Sequence, residues 1–387
     1  MTSFSVPSRL LLGSGPSPVP QRVLDALTLP TIGHLDPAFA ALMEETASLL
    51  RSTFRTENRA TLPISGTGSA GMDAMVANFV EPGDRVVCGV NGLFGERMAD
   101  ALGRAGAEVI EVLAPWGRAI PTEALLGAAR DGFDALFVVH GETSTGVAQP
   151  LEGLGELCRE HDALFLLDCV TSLSGAPLDL DAAGVDVAFS GTQKCLNCPP
   201  GLAPFTAGER AIEKLRARET PVRSWYFDLS LVLSYWNPAA RPQATPESGG
   251  RAYHHTAPIN MVYALREALE IVHEEGLEAR WERHARAHEA LLRALRVLGF
   301  ERLAPEGEQL ASLLAVTPPA GVDSEAVRKR LLSEHGIEVS GGLGQYAGKL
   351  WRIGVMGAGA EREPAERLVC AVATELRTSP DAALEAL

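Results

Sequence analysis

The chain has no hydrophobic run long enough to span a bilayer, and it does not start with a basic segment followed by an apolar stretch. These absences argue against a membrane protein and against a secretory signal peptide. Basic residues are also scarce, since 34 Lys and Arg face 49 Asp and Glu and the net charge is −15. A chain without a basic stripe is a poor partner for nucleic acid. We therefore predict a cytoplasmic protein that binds neither membranes nor nucleic acid.

Paired cysteine motifs are missing as well. Cys195 and Cys198 form a C-x-x-C, but the chain has only six cysteines and no second such pair. Structural zinc sites need four ligands, so we predict no metal here and interpret the cysteines as buried free thiols of a reducing compartment. His284 and His288 have a zinc-compatible spacing on a helix. Their charged neighbours and the lack of a third ligand predict a solvated helix instead.

What the chain does have is a regular alternation of short apolar strands, such as Arg85–Val90, with helices. Near-continuous apolar strands that alternate with helices predict an α/β fold with a mostly parallel sheet flanked by helices. From about residue 258, long helices and short strands indicate a smaller C-terminal α+β domain. The Pro- and Gly-rich start predicts an extended arm that is neither helix nor strand. The predicted divisions are therefore 1–20 for the arm, 21–257 for the large domain and 258–387 for the small domain.

A lysine and an acid are predicted to meet at one edge of this sheet. Lys194 follows an apolar strand within the segment Ser190–Gly201, and Asp168 ends the strand Ala163–Asp168. Ligands bind at the carboxyl edge of open α/β sheets. Pyridoxal 5'-phosphate (PLP) needs such a lysine, and an acid opposite the pyridine nitrogen keeps that nitrogen protonated. The alternatives are a solvated surface lysine and an Asp that caps a helix or turn.

A Gly-rich turn, Ser65–Gly71, lies between a strand and a helix. Backbone N–H groups at a helix N-terminus hold a phosphate well. The same segment matches the dinucleotide fingerprint G-x-G-x-x-G, which expects an acid at the end of the next strand. That strand is followed by Asn91 and Gly92, so a nicotinamide-dependent dehydrogenase is kept only as an alternative.

Two more polar features follow apolar strands or lie within them. His140–Gly146 offers hydroxyl groups to a polar cofactor, although Ser and Thr in such a turn also bond their own backbone. Arg352 lies in an apolar strand, where a charge must be paired. A guanidinium binds a carboxylate through two parallel hydrogen bonds. Arg352 is therefore predicted either to bind a substrate carboxylate or to form a structural salt bridge.

In this order, these motifs resemble the class V, fold-type I aminotransferases, and most closely the alanine–glyoxylate / serine–pyruvate aminotransferase family. The resemblance covers nearly the whole chain, and the ordered set is more specific than any one motif. Its segments are Leu11–Pro16, Ser65–Gly68, Glu81–Asp84, Asn91–Gly95, His140–Gly146, Ser190–Gly201, Tyr253–Thr256, Gly341–Gly344 and Arg352–Gly354.

The resemblance implies PLP as the cofactor and a role for each matching residue. Lys194 would carry PLP and act as general base and acid, while Asp168 would pair with the pyridine nitrogen. Arg352 would bind the substrate carboxylate, and the loop that contains Gly15 would line the substrate site. The other implied cofactor contacts are Thr67, Gly68, Ser69 and Gln193 at the phosphate, Thr143 near the phenolic oxygen, Phe94 on the ring, and Tyr253 and Thr256 from the partner subunit of a homodimer.

The implied reaction is transamination between a small neutral amino acid, alanine or serine, and a small 2-oxo acid, glyoxylate or pyruvate. No second cation for a dicarboxylate substrate is evident in the sequence. Ser69 and Phe94 stand where the best-known animal members of the family have His and Trp. The alternatives are ureidoglycine–glyoxylate transamination, a lyase or a cysteine desulfurase on the same fold, and a PLP-binding protein without turnover.

Overall fold

In the computed structural model, which describes residues 5–240 and 250–387, strands and helices alternate along the first two thirds of the chain. The strands of this part are β1 (Leu10–Leu11), β2 (Ala60–Ser65), β3 (Arg85–Val90), β4 (Glu108–Leu113), β5 (Ala135–Val139), β6 (Gly141–Glu142), β7 (Val147–Ala148), β8 (Leu164–Asp168), β9 (Val187–Phe189) and β10 (Leu202–Ala207). The helices are α1 (Gln21–Leu27), α2 (Pro37–Phe54), α3 (Gly68–Phe79), α4 (Leu93–Ala105), α5 (Thr122–Ala128), α6 (Leu154–Glu160), α7 (Leu180–Ala183), α8 (Glu209–Arg216) and α9 (Leu229–Trp236).

Seven of these strands form one sheet in the order β2-β10-β9-β8-β5-β3-β4. The pairs β3–β4, β3–β5, β5–β8 and β8–β9 are parallel, and only β10 runs against its neighbours. All residues of β5 and β8 are buried, which explains their continuous apolar sequence. The predicted α/β fold with a mostly parallel sheet is confirmed.

The antiparallel strand β10 was not predicted from the sequence. It contains Pro204, and a proline removes a donor from the ladder and argues against a central strand. In the structure Pro204 lies opposite Pro63 of β2, while its carbonyl oxygen accepts from the N–H of Ser190. The segment that carries Lys194 is therefore a loop held at both ends by paired strands, β9 and β10.

The last third of the chain forms a second sheet with its own core, but its first helix packs in the core of the large sheet. Its helices are α10 (Ile259–Glu275), α11 (Leu277–Val297), α12 (Ser324–Glu334), α13 (Arg362–Glu375) and α14 (Asp381–Glu385), and its strands are β11 (Glu301–Arg302), β12 (Leu313–Thr317), β13 (Ile337–Glu338), β14 (Ser340–Gly341) and β15 (Trp351–Gly354). The antiparallel order is β11-β12-β15-β14. Phe300 and Trp351 belong to a hydrophobic cluster distinct from the core of the large sheet. The bounds 21–257 and 258–387 stay a prediction.

Within residues 5–240 and 250–387, no helix is both long enough and apolar enough to cross a bilayer.

The N-terminal arm is not wholly irregular, so that part of the prediction was wrong. Leu10 and Leu11 pair in parallel with Ile337 and Glu338 of β13, and Leu12 packs in the core of the second sheet. A strand of two residues is too short to leave a periodic pattern between prolines and glycines. The described part of the arm, residues 5–20, therefore ties the start of the chain to the C-terminal region.

The prediction that His284 and His288 lie on a solvated helix face was also wrong. The two side chains are 0 % and 2 % exposed. His284 Nε2 accepts from the N–H of Gly357 at 2.8 Å, and its Nδ1 lies 2.7 Å from the carbonyl oxygen of Arg280. Burial lowers the pKa of His284 to about 3, so it is a neutral structural side chain. Of its charged neighbours in the sequence, Glu282 and Arg286 are exposed and Arg283 is half-buried.

Candidate active site

The carboxyl ends of β2, β3, β5, β8 and β9 meet at one edge of the large sheet, and a pocket opens there. Parallel strands bring their carboxyl ends to the same edge, which is where ligands bind in this class of fold. The pocket collects most of the predicted site residues: Thr67, Gly68, Ser69, Phe94, Thr143, Asp168, Gln193 and Lys194.

Lys194 presents a buried amine to this pocket. Its Nζ donates to the carbonyl oxygen of Ser14, and it forms no ion pair with a carboxylate of the described residues. Burial lowers the pKa of the amine to about 8, and the positive charge of Arg352 acts in the same direction. A larger neutral fraction at physiological pH favours attack on an aldehyde carbon.

Gly15 lies directly against this lysine. Its φ is +106°, and a Cβ there would lie 2.7 Å from Nζ of Lys194. Only glycine therefore allows the loop of residues 13–16 to approach the amine so closely.

Asp168 ends β8 and is buried in the same pocket. Its Oδ1 accepts from the N–H of Val170 at 2.8 Å, and the described chain supplies it with no salt-bridge partner. Burial raises the pKa of this carboxyl to about 7, and the nearby charge of Glu142 acts in the same direction. A buried carboxyl with an unused oxygen fits a cationic N–H donor, and the protonated pyridine nitrogen of PLP is such a group.

The start of α3 forms an anion site at the other end of the pocket. Thr67 is the N-cap residue, but its side chain makes no capping bond to the helix. Gly68 and Ser69 line the pocket, so the first N–H groups of the helix and the positive end of its dipole lie at the pocket without a side-chain cap. Gln193 lines this pocket, and the NH₂ group of its side chain is a donor that a phosphate oxygen can accept from. These groups suit the phosphate of PLP.

Phe94 forms one wall of the pocket from the first turn of α4, and Arg97 lies one turn further along. The guanidinium of Arg97 is 4.7 Å from the centre of the Phe94 ring. Arg97 has no salt-bridge partner within the described residues, and sequence reasoning missed it. The sequence could have indicated Arg97, because it lies three residues after Phe94 and residues three apart share a helix face.

Arg352 reaches the site from β15 of the second sheet. Its Nε donates to the carbonyl oxygen of Gly341 at 2.8 Å, and its Nη1 donates to that of Thr143 at 3.4 Å. Burial lowers its pKa to about 10, so it stays charged at neutral pH. The described chain provides no acid for a salt bridge to it, which removes the support for a purely structural role. Donors that remain open suit an incoming carboxylate.

Tyr253 and Thr256 are not brought to the pocket of their own chain. Both are exposed, Tyr253 by 60 %, and the hydroxyl groups of the two residues lie 3.5 Å apart.

Comparison with known proteins agrees with this geometry. The family model described as aminotransferase class-V matches residues 9–350. An alanine–glyoxylate aminotransferase of Callithrix jacchus is 38 % identical over 379 residues, which are 97 % of this chain and 90 % of that protein. An (S)-ureidoglycine–glyoxylate transaminase of Bacillus subtilis is 38 % identical over 377 residues, 92 % of this chain and 88 % of that protein.

Solved structures give the same result. The crystal structure of an alanine–glyoxylate aminotransferase from Nostoc sp. is 49 % identical, with a TM-score of 0.93 and 97 % of each chain covered. None of these relatives supports the alternative of a nicotinamide-dependent dehydrogenase. The chain therefore belongs to the class V aminotransferases, a family of PLP-dependent enzymes.

Proposed function

We propose that this aminotransferase moves the amino group of alanine or serine to a small 2-oxo acid, glyoxylate or pyruvate. One observation carries the proposal: the amine of Lys194 and the buried carboxyl of Asp168 line one pocket, and the guanidinium of Arg352, which has open donors, contacts Thr143 in the lining of that pocket. The names of the similar proteins, several of which are alanine–glyoxylate aminotransferases, support the same substrates.

Each of the three residues has a distinct task in this proposal. PLP, when bound, supplies an aromatic ring that accepts the electron pair left by the departing α-proton. Arg352 binds the substrate carboxylate and so orients the α-carbon. Lys194, whose pKa is lowered to about 8 by burial, takes the α-proton in its neutral form and returns it as an acid. Asp168 holds a proton on the pyridine nitrogen, and the Gly15 loop covers the amine from solvent.

The structure adds a detail that bears on substrate charge. The sequence showed no second cation, but Arg97 lines the pocket. It lies on the Phe94 side, where its charge acts on the pKa values of Asp168 and Lys194. This position favours interaction with the cofactor over binding of a substrate side chain, so the proposal keeps small neutral amino acids.

The alternative of a cysteine desulfurase has little support. A desulfurase needs a mobile reactive thiolate. Five of the six cysteines are buried, and burial raises the pKa of Cys195, which follows the lysine, to about 11. The remaining one, Cys370, lies on α13, outside the residues that line the pocket.

We further propose a cytoplasmic homodimer in which Tyr253 and Thr256 reach the phosphate of the partner's cofactor. Two exposed aromatic side chains, Trp225 and Tyr226, support an interface near the Gly-rich turn, because the hydroxyl of Tyr226 donates to the carbonyl oxygen of Ser65 at 3.3 Å. Exposed apolar patches mark interaction sites. Buried free thiols support a reducing compartment.

The experiment is a substrate comparison with the PLP-loaded enzyme. Alanine should bleach the yellow colour of the bound cofactor, and alanine with glyoxylate should yield pyruvate at a higher kcat/KM than aspartate or (S)-ureidoglycine gives with glyoxylate. Lys194→Ala should abolish turnover, whereas Lys329→Ala, a change at an exposed lysine of α12, should not. A clear preference for ureidoglycine or aspartate would contradict the proposed donor, and colour without bleaching would indicate a PLP-binding protein without turnover.

A further inference from the structure

Helix α4, which carries Phe94 and Arg97 into the pocket, begins without a cap of its own. Its N-cap residue is Gly92, which has no side chain to accept from the first N–H groups of the helix. Those N–H groups are buried or half-buried and need acceptors. The acceptors come from a distant part of the chain, about fifty residues further on.

Glu142 and Ser144 together supply these acceptors. Ser144 Oγ accepts from the N–H of Leu93 at 3.1 Å, while Glu142 Oε2 accepts from those of Phe94 and Gly95 at 3.0 and 3.4 Å. Glu142 Oε1 in turn accepts from the N–H and the hydroxyl of Ser144 at 3.0 and 2.6 Å. Every partner of the carboxylate is a donor, and these hydrogen bonds favour its ionised form, whereas burial raises its pKa.

The carboxylate also occupies the space that a side chain at position 92 would take. A Cβ on Gly92 would lie 2.4 Å from Cγ and Cδ of Glu142. Glu142 itself is 0 % exposed. Glycine at position 92 therefore leaves the room that Glu142 needs in order to cap a helix from a separate segment.

This cap connects two walls of the pocket. Thr143 lies between the two capping residues and lines the pocket, and Phe94 lies in the capped turn and lines it as well. We propose that Glu142 is a positioning residue that fixes the Phe94 ring and the Thr143 hydroxyl relative to each other, so that PLP binds in one orientation. The inference rests on the proposed roles of Phe94 and Thr143. It assigns to Glu142 no contact with the reacting atoms.

The charge of Glu142 also acts on two other residues of the site, Asp168 and Arg352. It contributes to the raised pKa of Asp168, and it is an anion close enough to favour the charged form of Arg352. A single buried acid thus couples the ring wall, the acid that faces the pyridine nitrogen and the guanidinium proposed to bind substrate.

The test is Glu142→Gln, which keeps the shape but replaces one acceptor oxygen by an NH₂ group. Whichever way the amide turns, a donor then faces the donors of Ser144 or those of the α4 turn. We expect the dissociation constant of PLP to rise by up to about tenfold, the range of a lost aromatic contact. We also expect the visible circular dichroism per bound PLP to change, since it reports the orientation of the ring. A protein that merely became less stable would keep that signal once loaded.

Asp323→Asn is the matched control. Asp323 accepts from the N–H of Ala326 at 3.0 Å at the start of α12, so the variant makes the same chemical change at a helix remote from the pocket. Its PLP affinity and circular dichroism should equal those of the unmodified protein. If Glu142→Gln does not fold, Ser144→Ala removes the smaller half of the cap and should shift both measurements in the same direction.

A double-mutant cycle with Phe94→Leu separates positioning from general destabilisation. If Glu142 acts largely through the Phe94 ring, the effect of Glu142→Gln on the PLP dissociation constant should shrink in the Phe94→Leu background. Two results would overturn the inference: an unchanged circular dichroism and affinity in Glu142→Gln, or an equal loss of affinity in both backgrounds. An unmodified protein that does not bind PLP would overturn the proposed function itself.

Discussion

Arg352 Nη1 donates to the carbonyl oxygen of Thr143 across 3.4 Å, and this hydrogen bond joins the second sheet to the cofactor pocket. The two residues are 209 positions apart in the chain. Thr143 is held on both sides by the capping residues Glu142 and Ser144. The guanidinium that we assign to the substrate carboxylate is therefore fixed to the same short segment that lines the cofactor site.

Replacing Arg352 by lysine should weaken substrate binding without disturbing the cofactor. Lysine keeps the charge but loses the planar fork that binds a carboxylate through two bonds. The loss of a charge-assisted hydrogen bond costs about 1.5–3 kcal/mol, so kcat/KM for alanine should fall by roughly ten- to a hundredfold. Steady-state kinetics and PLP titration check this. Arg296→Lys, at an exposed position of α11, is the control, and an equal loss in both variants would count against the assignment.

The raised pKa of Asp168 predicts how the stability of the cofactor-free protein depends on pH. The carboxyl titrates near 7 when folded and near its ordinary value of 3.8 when unfolded. Between these values the folded state binds more protons, so the contribution of Asp168 to the free energy of unfolding falls as the pH rises. Each unit of pKa corresponds to about 1.4 kcal/mol.

Asp168→Asn should remove this penalty. We expect the cofactor-free variant to be more stable than the unmodified protein at pH 8, with a smaller difference at pH 4, and to bind and use PLP poorly. Urea unfolding at several pH values measures the first effect. A variant that is less stable at pH 8 than the unmodified protein would show that Asp168 is paired in the free enzyme.

Arg97 should contribute to cofactor affinity through its charge and its contact with Phe94. An exposed cation over an aromatic ring is worth about 0.5–1 kcal/mol, so Arg97→Leu should raise the dissociation constant of PLP by about two- to fivefold. The KM for alanine should change little. Arg104→Leu breaks an exposed ion pair with Asp100 on the same helix and serves as the control. A large increase in KM in Arg97→Leu instead would place Arg97 at the substrate.

A shared active site can be detected by mixing two inactive variants. One carries Lys194→Ala, and the other carries Tyr253→Ala with Thr256→Ala. If Tyr253 and Thr256 serve the partner's site, each mixed dimer regains one intact site, and random exchange of subunits restores about one quarter of the sites. Activity after denaturation and joint refolding measures this. No gain over the separately refolded variants would mean that these residues act within their own chain, or not at all.

The sequence predicted most of the fold because its strands are buried on both faces. The strands Arg85–Val90 and Ala135–Val139 have the predicted bounds, since continuous apolar runs bordered by polar or turn residues leave little choice. Strand β10 was not predicted because it contains Pro204, and a proline argues against a central strand. The burial of His284 depended on what packs against α11, which periodicity alone does not reveal.

Most residues predicted for the site line one pocket, whereas their roles stay predictions. Lys194 and Asp168 follow apolar strands, and strand ends of a parallel sheet must meet. For Arg97 and Glu142, no comparable pattern in the sequence predicts a position in the site. Glu142 is one acid in a turn rich in hydroxyl groups, and its burial under α4 depends on a helix that starts fifty residues earlier with a glycine. Such contacts between distant segments need the structure.

The central claim is that Lys194 is the residue that carries PLP. The most direct measurement is to load the enzyme with PLP, fix the cofactor to its lysine by reduction with borohydride, digest the protein and locate the modified residue by mass spectrometry. We expect the modification on the peptide that contains Lys194, and its loss in Lys194→Ala. Stoichiometric modification of another lysine, or none at all in protein that has bound PLP, would contradict the account.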